Sequence, residues 1–199
     1  MLTLIVLWTA GCGFLPSMSE RPTRGDATSE PERPILNCPE DTTLESGSSG
    51  KGVEHWCERA GGVMHGPYIL HHPNGEKAIS GSYDKNMPHG AWTWWYDNAQ
   101  QSKKGKYSHN KETGAWTWWH KNGNRMKEGD YLQGRRQGQW TTFYPSGMKE
   151  SEGMYQNDRR NGIWTFYNDN EENSIAKTER YENDEMVEEK IIDDQRSRP

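Results

Sequence analysis

A glycine returns every 24 residues, at Gly66, Gly90, Gly114, Gly138 and Gly162, and the residues behind each one repeat as well. Two positions on stand Tyr68, Trp92, Trp116, Trp140 and Trp164. Fifteen on stand Gly81, Gly105, Gly129 and Gly153, and seventeen on stand Tyr83, Tyr107, Tyr131 and Tyr155. A period of this length marks a repeat architecture, in which each unit is one supersecondary element that buries its apolar surface against its neighbours. Positions are numbered below as offsets from the repeat glycine. The fifth unit gains two residues, which moves its tyrosine to Tyr181, and a half unit, Trp56 to His65, precedes the first as a cap.

Each unit reads as a β-hairpin. Ala91-Trp92-Thr93-Trp94-Trp95-Tyr96 is rich in strand formers. Asn74-Gly75 and Asn122-Gly123 predict a two-residue type I′ loop between offsets eight and nine. A loop centred there pairs offset two with fifteen and offset zero with seventeen. Each Trp then faces a Gly across the ladder, and an aromatic ring covering a strand glycine offsets that residue's weakness in a sheet. The same register brings each Tyr to the Trp of the next unit. The expected fold is therefore all-β: an elongated single-layer antiparallel meander of five tandem hairpins over 66–181, roughly 50 Å wide at about 4.8 Å per strand.

Composition agrees with a thin aromatic core. Leu, Ile, Val and Phe supply only 23 of 199 residues, against 10 Trp and 9 Tyr. An aliphatic content that low would suggest disorder without the aromatic repeat. Strand alternation places Trp92, Trp116, Trp140 and Trp164 on one face, with Trp94, Trp118 and Phe166. Trp95, Trp119, Phe143 and Tyr167 fall on the other. A single sheet cannot bury both faces against itself. The second stripe is either structural packing or a candidate binding surface, with Trp95 and Trp119 as stacking platforms.

The pattern Gly-x-Trp-x-x-(Trp/Phe)-(Tyr/His)-x-x-Gly, followed by Gly-x-Tyr and a polar turn, resembles the variant MORN repeat over about residues 61–181. The same repeat occurs in bacterial proteins labelled YwqK-like antitoxins. The resemblance implies a twisted single-layer sheet with an interaction role and no catalytic residues.

Ahead of the repeats, residues 2–8 form a short apolar run, followed by Thr9-Ala10-Gly11-Cys12. The run is too short to span a bilayer and reads as a signal peptide. Its ending resembles a bacterial lipobox, which implies lipidation of Cys12 after cleavage. It departs from that pattern at Thr9, where Leu is usual, and no Lys or Arg precedes the run. Gly13, rather than Asp, follows the cysteine, which by resemblance to enteric lipoproteins favours the outer membrane. Residues 13–37 hold Pro16, Pro22, Pro31 and Pro34 and read as a linker reaching some tens of Å at about 5–6 Å × √n. Residues 38–65 form a cap bearing Cys38 and Cys57. In an oxidising compartment this even pair reads as a disulfide contributing roughly 3 kcal/mol, the alternative being two free thiols. The acidic tail, 182–199, reads as a short helix capping the last strand or as a solvated extension.

No Ser-His-Asp set, P-loop or HExxH motif is present. His65 and His89 occupy a polar turn position. His72 and His120 share offset six but stand two repeats apart, too far to share a metal. No metal, cofactor or catalytic residue is assigned. Lys103-Lys104, Arg135-Arg136 and Arg159-Arg160 could line one sheet edge with cations, or simply protect it. The net charge of −5 includes no basic surface that would suit nucleic acid. The expectation is a non-enzymatic envelope lipoprotein, tethered to the membrane through its lipid, that binds an unknown protein partner. The alternatives are a binder of glycan or peptidoglycan and a YwqK-like antitoxin.

Overall fold

The computed structural model describes residues 36–192. Among them are thirteen strands and no helix. The strands pair in chain order as one antiparallel sheet, the open meander expected from the repeat. The hairpins are β1 (Thr43–Ser49) with β2 (Gly52–Arg59), β3 (Val63–His71) with β4 (Lys77–Asp84), and β5 (Met87–Trp95) with β6 (Gln101–Ser108). They continue as β7 (Lys111–Trp119) with β8 (Arg125–Leu132), β9 (Arg135–Phe143) with β10 (Lys149–Gln156), and β11 (Arg159–Tyr167) with β12 (Ile175–Glu182). β13 (Glu185–Ile191) closes the series.

The register follows the 24-residue arithmetic. Trp92 pairs with Gly105 and Gly90 with Tyr107, and the next hairpin repeats this as Trp116–Gly129 and Gly114–Tyr131. The rings, however, do not cover the glycines they pair with. Trp92 lies over Gly81 of the preceding hairpin, and Trp116, Trp140 and Trp164 lie over Gly105, Gly129 and Gly153 in the same way. The cause is a bulge between hairpins. Ser80 pairs with Thr93 and Ser82 with His89, so Gly81 faces three residues, Gly90 to Trp92. Gly90 takes φ +74°, a left-handed conformation that glycine tolerates best. The ring thus fastens one repeat to the one before it. Its indole N–H adds a bond to the same strand, from Trp92 to the Ser82 carbonyl at 3.2 Å and from Trp140 to the Asp130 carbonyl at 3.2 Å.

The turn chemistry also differs from the expected two-residue type I′ loop at Asn-Gly. The Gly75 N–H donates to the His72 carbonyl at 2.9 Å, and the His72 N–H donates to the Glu76 carbonyl at 2.7 Å. Only Gly75, at φ +88°, is left-handed there. This is a type I turn closed by a glycine bulge, and Pro73 suits its second position. The bulge shifts the pairing to His71–Lys77 at the strand end. Left-handed residue pairs occur instead between repeats, at Lys85-Asn86, His109-Asn110, Gln133-Gly134 and Asn157-Asp158. Those are the two-residue loops whose twist matches the sheet.

Asn74 is free to serve another purpose because it does not supply the left-handed residue. Its side chain accepts from the Glu76 N–H at 3.1 Å and donates to the Asp97 carbonyl in the next hairpin at 2.8 Å. Asn98 and Asn122 repeat this toward Lys121 and Pro145. A second ladder runs beside it at offset six. His72 donates through Nε2 to the Trp95 carbonyl at 3.0 Å, Tyr96 to Trp119, His120 to Phe143 and Tyr144 to Tyr167. These bonds satisfy strand-end carbonyls and tie each turn to the next.

The sheet extends one hairpin further toward the N-terminus than the half unit expected. Leu44 pairs with Cys57, which places Cys57 24 residues before Gly81, in the position otherwise held by glycine. Cys57 is almost fully buried and is bonded to Cys38, with their Cα atoms 5.5 Å apart. At the other end, residues 185–191 form strand β13 rather than a helix. It caps β12, and its Glu185, Glu188, Glu189 and Lys190 discourage further pairing along the open edge.

Candidate functional site

The two faces have different roles. On the first, the rings form a continuous slab. Trp92, Trp94, Trp116, Trp118 and Trp140 follow one another with centroids 5.7–5.9 Å apart. Tyr83, Tyr107, Tyr131 and Tyr155 stand edge-on to the Trp of the next unit at 5.0–5.2 Å. Trp92, Trp116, Trp140 and Trp164 are buried. Burial pushes the Tyr107 hydroxyl up to about 12. This face is the core of the protein.

Each unit closes its slab with a cross-strand pair whose members change together. Leu70 pairs with Ile79, Trp94 with Lys103, Trp118 with Lys127, Thr142 with Ser151, and Phe166 with Lys177. Lys103 Nζ stands 3.8 Å over the Trp94 ring and Lys127 Nζ 4.5 Å over Trp118. Burial over the indoles holds both ammonium groups below the usual lysine range. Where the ring is absent, Thr142 and Ser151 hydrogen-bond at 2.7 Å. Arg136 and Arg160 lie over Tyr155 and Tyr181 and pair with Asp158 and Asp184. Lys103, Arg136 and Arg160 are thus packing elements, while Lys104, Arg135 and Arg159 beside them are exposed.

The opposite face carries a central threonine row, Thr93, Thr117, Thr141 and Thr165, with the four candidate contact residues at its turn end. None of the four is freely exposed. Phe143 is buried, and Trp95, Trp119 and Tyr167 are half-buried. Offset eleven of the preceding unit supplies a cation over three of the rings. Lys77 stands 5.3 Å from the Trp95 centroid, Arg125 4.7 Å from Phe143, and Lys149 5.8 Å from Tyr167. The Tyr167 hydroxyl also donates to Glu152 and is held up at about 12 by burial and that carboxylate. Phe143 is therefore corrected from a contact residue to a packed one. In the remaining unit offset eleven is Gln101, and among the described residues no cation covers Trp119.

Trp119 instead borders an open groove on this face. The small residues Ala91, Gly105 and Ala115 line it together with the polar Gln101, Lys104, Lys106 and Thr117. Farther along the same face, Met154 and Ile163 are 46% and 62% exposed. The alternation that separates the two stripes was legible in the sequence. The capping of individual rings was not, because it joins residues in different units.

At the opposite turn edge the sheet gathers histidines that lie far apart in the chain. His65 Nδ1 is 3.2 Å from Asp84 Oδ1, and His109 Nε2 is 3.7 Å from Asp84 Oδ2. The His89 and His109 rings are 5.0 Å apart. Among the described residues no group of three or more ligating side chains is placed to hold a metal ion. Cys12, the expected lipidation site, lies outside the described residues.

Two adjacent stretches, 112–133 and 136–157, match the family described as MORN repeat variant. Each match frames one hairpin, β7–β8 and β9–β10, between two of the left-handed inter-repeat turns. No curated protein matches the chain. Among solved structures, a chain of the "Glycosylation Associate Protein (Gap123) complex from Streptococcus agalactiae" is similar at 11% identity and a TM-score of 0.31. The similarity covers 60% of this chain and 20% of that one, so the match spans about a fifth of its length. At that score it carries no weight for fold or role.

Proposed function

We propose that this chain is a non-enzymatic binding scaffold of the cell envelope, tethered through a lipid on Cys12, that engages a protein partner with the threonine-lined face of its sheet. The division of labour between the faces carries this reading. One face consumes its rings in self-packing, while the other leaves Met154 and Ile163 in solvent on a repeat scaffold. Exposed apolar side chains grouped on one surface mark interaction sites. The test is a photo-crosslinking residue at Ile163 in whole cells, with a control at Trp94 on the packed face, followed by mass spectrometry. A discrete adduct through Ile163 alone supports the reading. Equal adducts from both positions, or none, oppose it. Globomycin-sensitive processing with membrane fractionation tests the anchor. A soluble, unlipidated chain of full length favours the antitoxin alternative.

A second reading, binding of a glycan, is favoured by one observation: among the described residues, Trp119 is the aromatic of its row whose ring no cation covers.

A further inference from the structure

We infer that the groove beside Trp119 binds a carboxylate-bearing sugar unit, a hexuronic acid within a polysaccharide. The inference rests on the glycan reading of this face and gives it a site and a ligand class.

Three observations converge. First, the ring row repeats every two strands, about 9–10 Å, and in three of its four units the cation at offset eleven occupies the ring. Gln101 breaks that rule and leaves the Trp119 indole available for the C–H face of a pyranose. Second, the groove exists because its walls are small. Offset one is Ala91 and Ala115 here, but Gln139 and Ile163 in later units. Third, the second unit alone carries lysine at both offsets fourteen and sixteen. Lys104 and Lys106 are exposed on the groove side, and neither has an ion-pair partner among the described residues. Two carboxylates stand across β7 on the same face: Glu128, held by Arg125 Nη1 at 2.8 and 2.9 Å, and Asp130, an exposed residue whose backbone opposes Ala115. Two unpaired ammonium groups and the Thr117 hydroxyl, lining one groove with a half-buried indole that lacks the usual cation, match a sugar ring that carries a carboxylate. A neutral sugar would leave both cations without a partner.

The test is fluorescence titration of the purified full-length chain with trigalacturonic acid, chitotriose and pentaglutamate. Saturable binding of trigalacturonic acid is expected, weakened at least ~10-fold by Trp119→Ala and by Lys104→Gln with Lys106→Gln, and unchanged by Trp95→Ala. Gln101→Lys should also abolish it, because it restores the cation that caps the ring in the other units. That variant does not touch the core, and an unchanged melting temperature shows that the loss is local. Equal binding by wild type and Gln101→Lys would overturn the proposal. So would chitotriose binding as tightly as the acidic trimer, or pentaglutamate binding in its place, which would point to an acidic peptide. Crosslinking through Ile163 reads the protein-partner proposal separately, so either can fail alone.

Discussion

The indole of Trp116 lies directly on the backbone of Gly105, one hairpin earlier: a methyl group at Gly105 would stand 2.1 Å from Trp116 Cδ2. The same relationship recurs at Gly81, Gly129 and Gly153, so the ring–glycine contact reinforces the backbone ladder that joins each hairpin to the next.

Gly105→Ala should therefore destabilise the protein by about 3 kcal/mol, the upper range for overpacking a core. The backbone conformation there suits any residue; the cost is the ring. Gly50→Ala, where a methyl group would meet nothing within 4 Å, should change stability by less than about 0.5 kcal/mol. Denaturant unfolding of the two variants checks the difference, and equal midpoints would remove the contact from its central place.

Ala99 occupies the left-handed position of its turn at φ +64°, where three other units use glycine. A side chain costs roughly 1–2 kcal/mol in that conformation, against the smaller entropic cost of glycine. Ala99→Gly should raise stability by about 0.5–1 kcal/mol. A thermal melt that shows no gain, or a loss, contradicts this account of the turn.

Trp94 and Lys103 should be coupled. Unit one fills the same two positions with Leu70 and Ile79. Trp94→Leu strands an ammonium over a vacated ring site, and Lys103→Ile removes the cation from the indole. The double variant recreates the apolar pair of unit one. A double-mutant cycle should yield a coupling energy of about 0.5–1 kcal/mol. A value near zero would mean that the two side chains vary independently.

Alkaline pH should unfold the protein through its tyrosines. Tyr107 ionises near 10.0 when solvated and is pushed up to about 12 by burial; Tyr83 and Tyr131 are raised by the same cause. In that window the unfolded chain releases phenolic protons that the folded chain retains, so stability is intact below pH 10 and falls as pH rises toward 12. Lys103 and Lys127, held below their usual value by burial, act with the opposite sign but only below their solvated value of 10.5. Tyrosinate absorbance should rise together with the loss of sheet signal, and Tyr107→Phe should shift that transition to higher pH. Tyrosinate forming well before the sheet is lost would contradict it.

Much of the fold was legible before any coordinates. Local spacing determined the strands, the pairing of Trp92 with Gly105 and of Gly90 with Tyr107, and the two aromatic faces, because a ladder of period two and a repeat of 24 residues leave one register that keeps the rings together. Tertiary structure decided three other matters. A bulge moved each ring onto the glycine of the previous hairpin. The asparagine of Asn74-Gly75 became a ladder rung rather than a left-handed turn residue. The four rings of the second face, alike in sequence pattern, separated into three capped by Lys77, Arg125 and Lys149 and one left open beside Gln101. The reason is common to all three. Period and alternation act along a strand, whereas bulges, rungs and caps join atoms across units, and only the packed sheet sets which of those atoms meet.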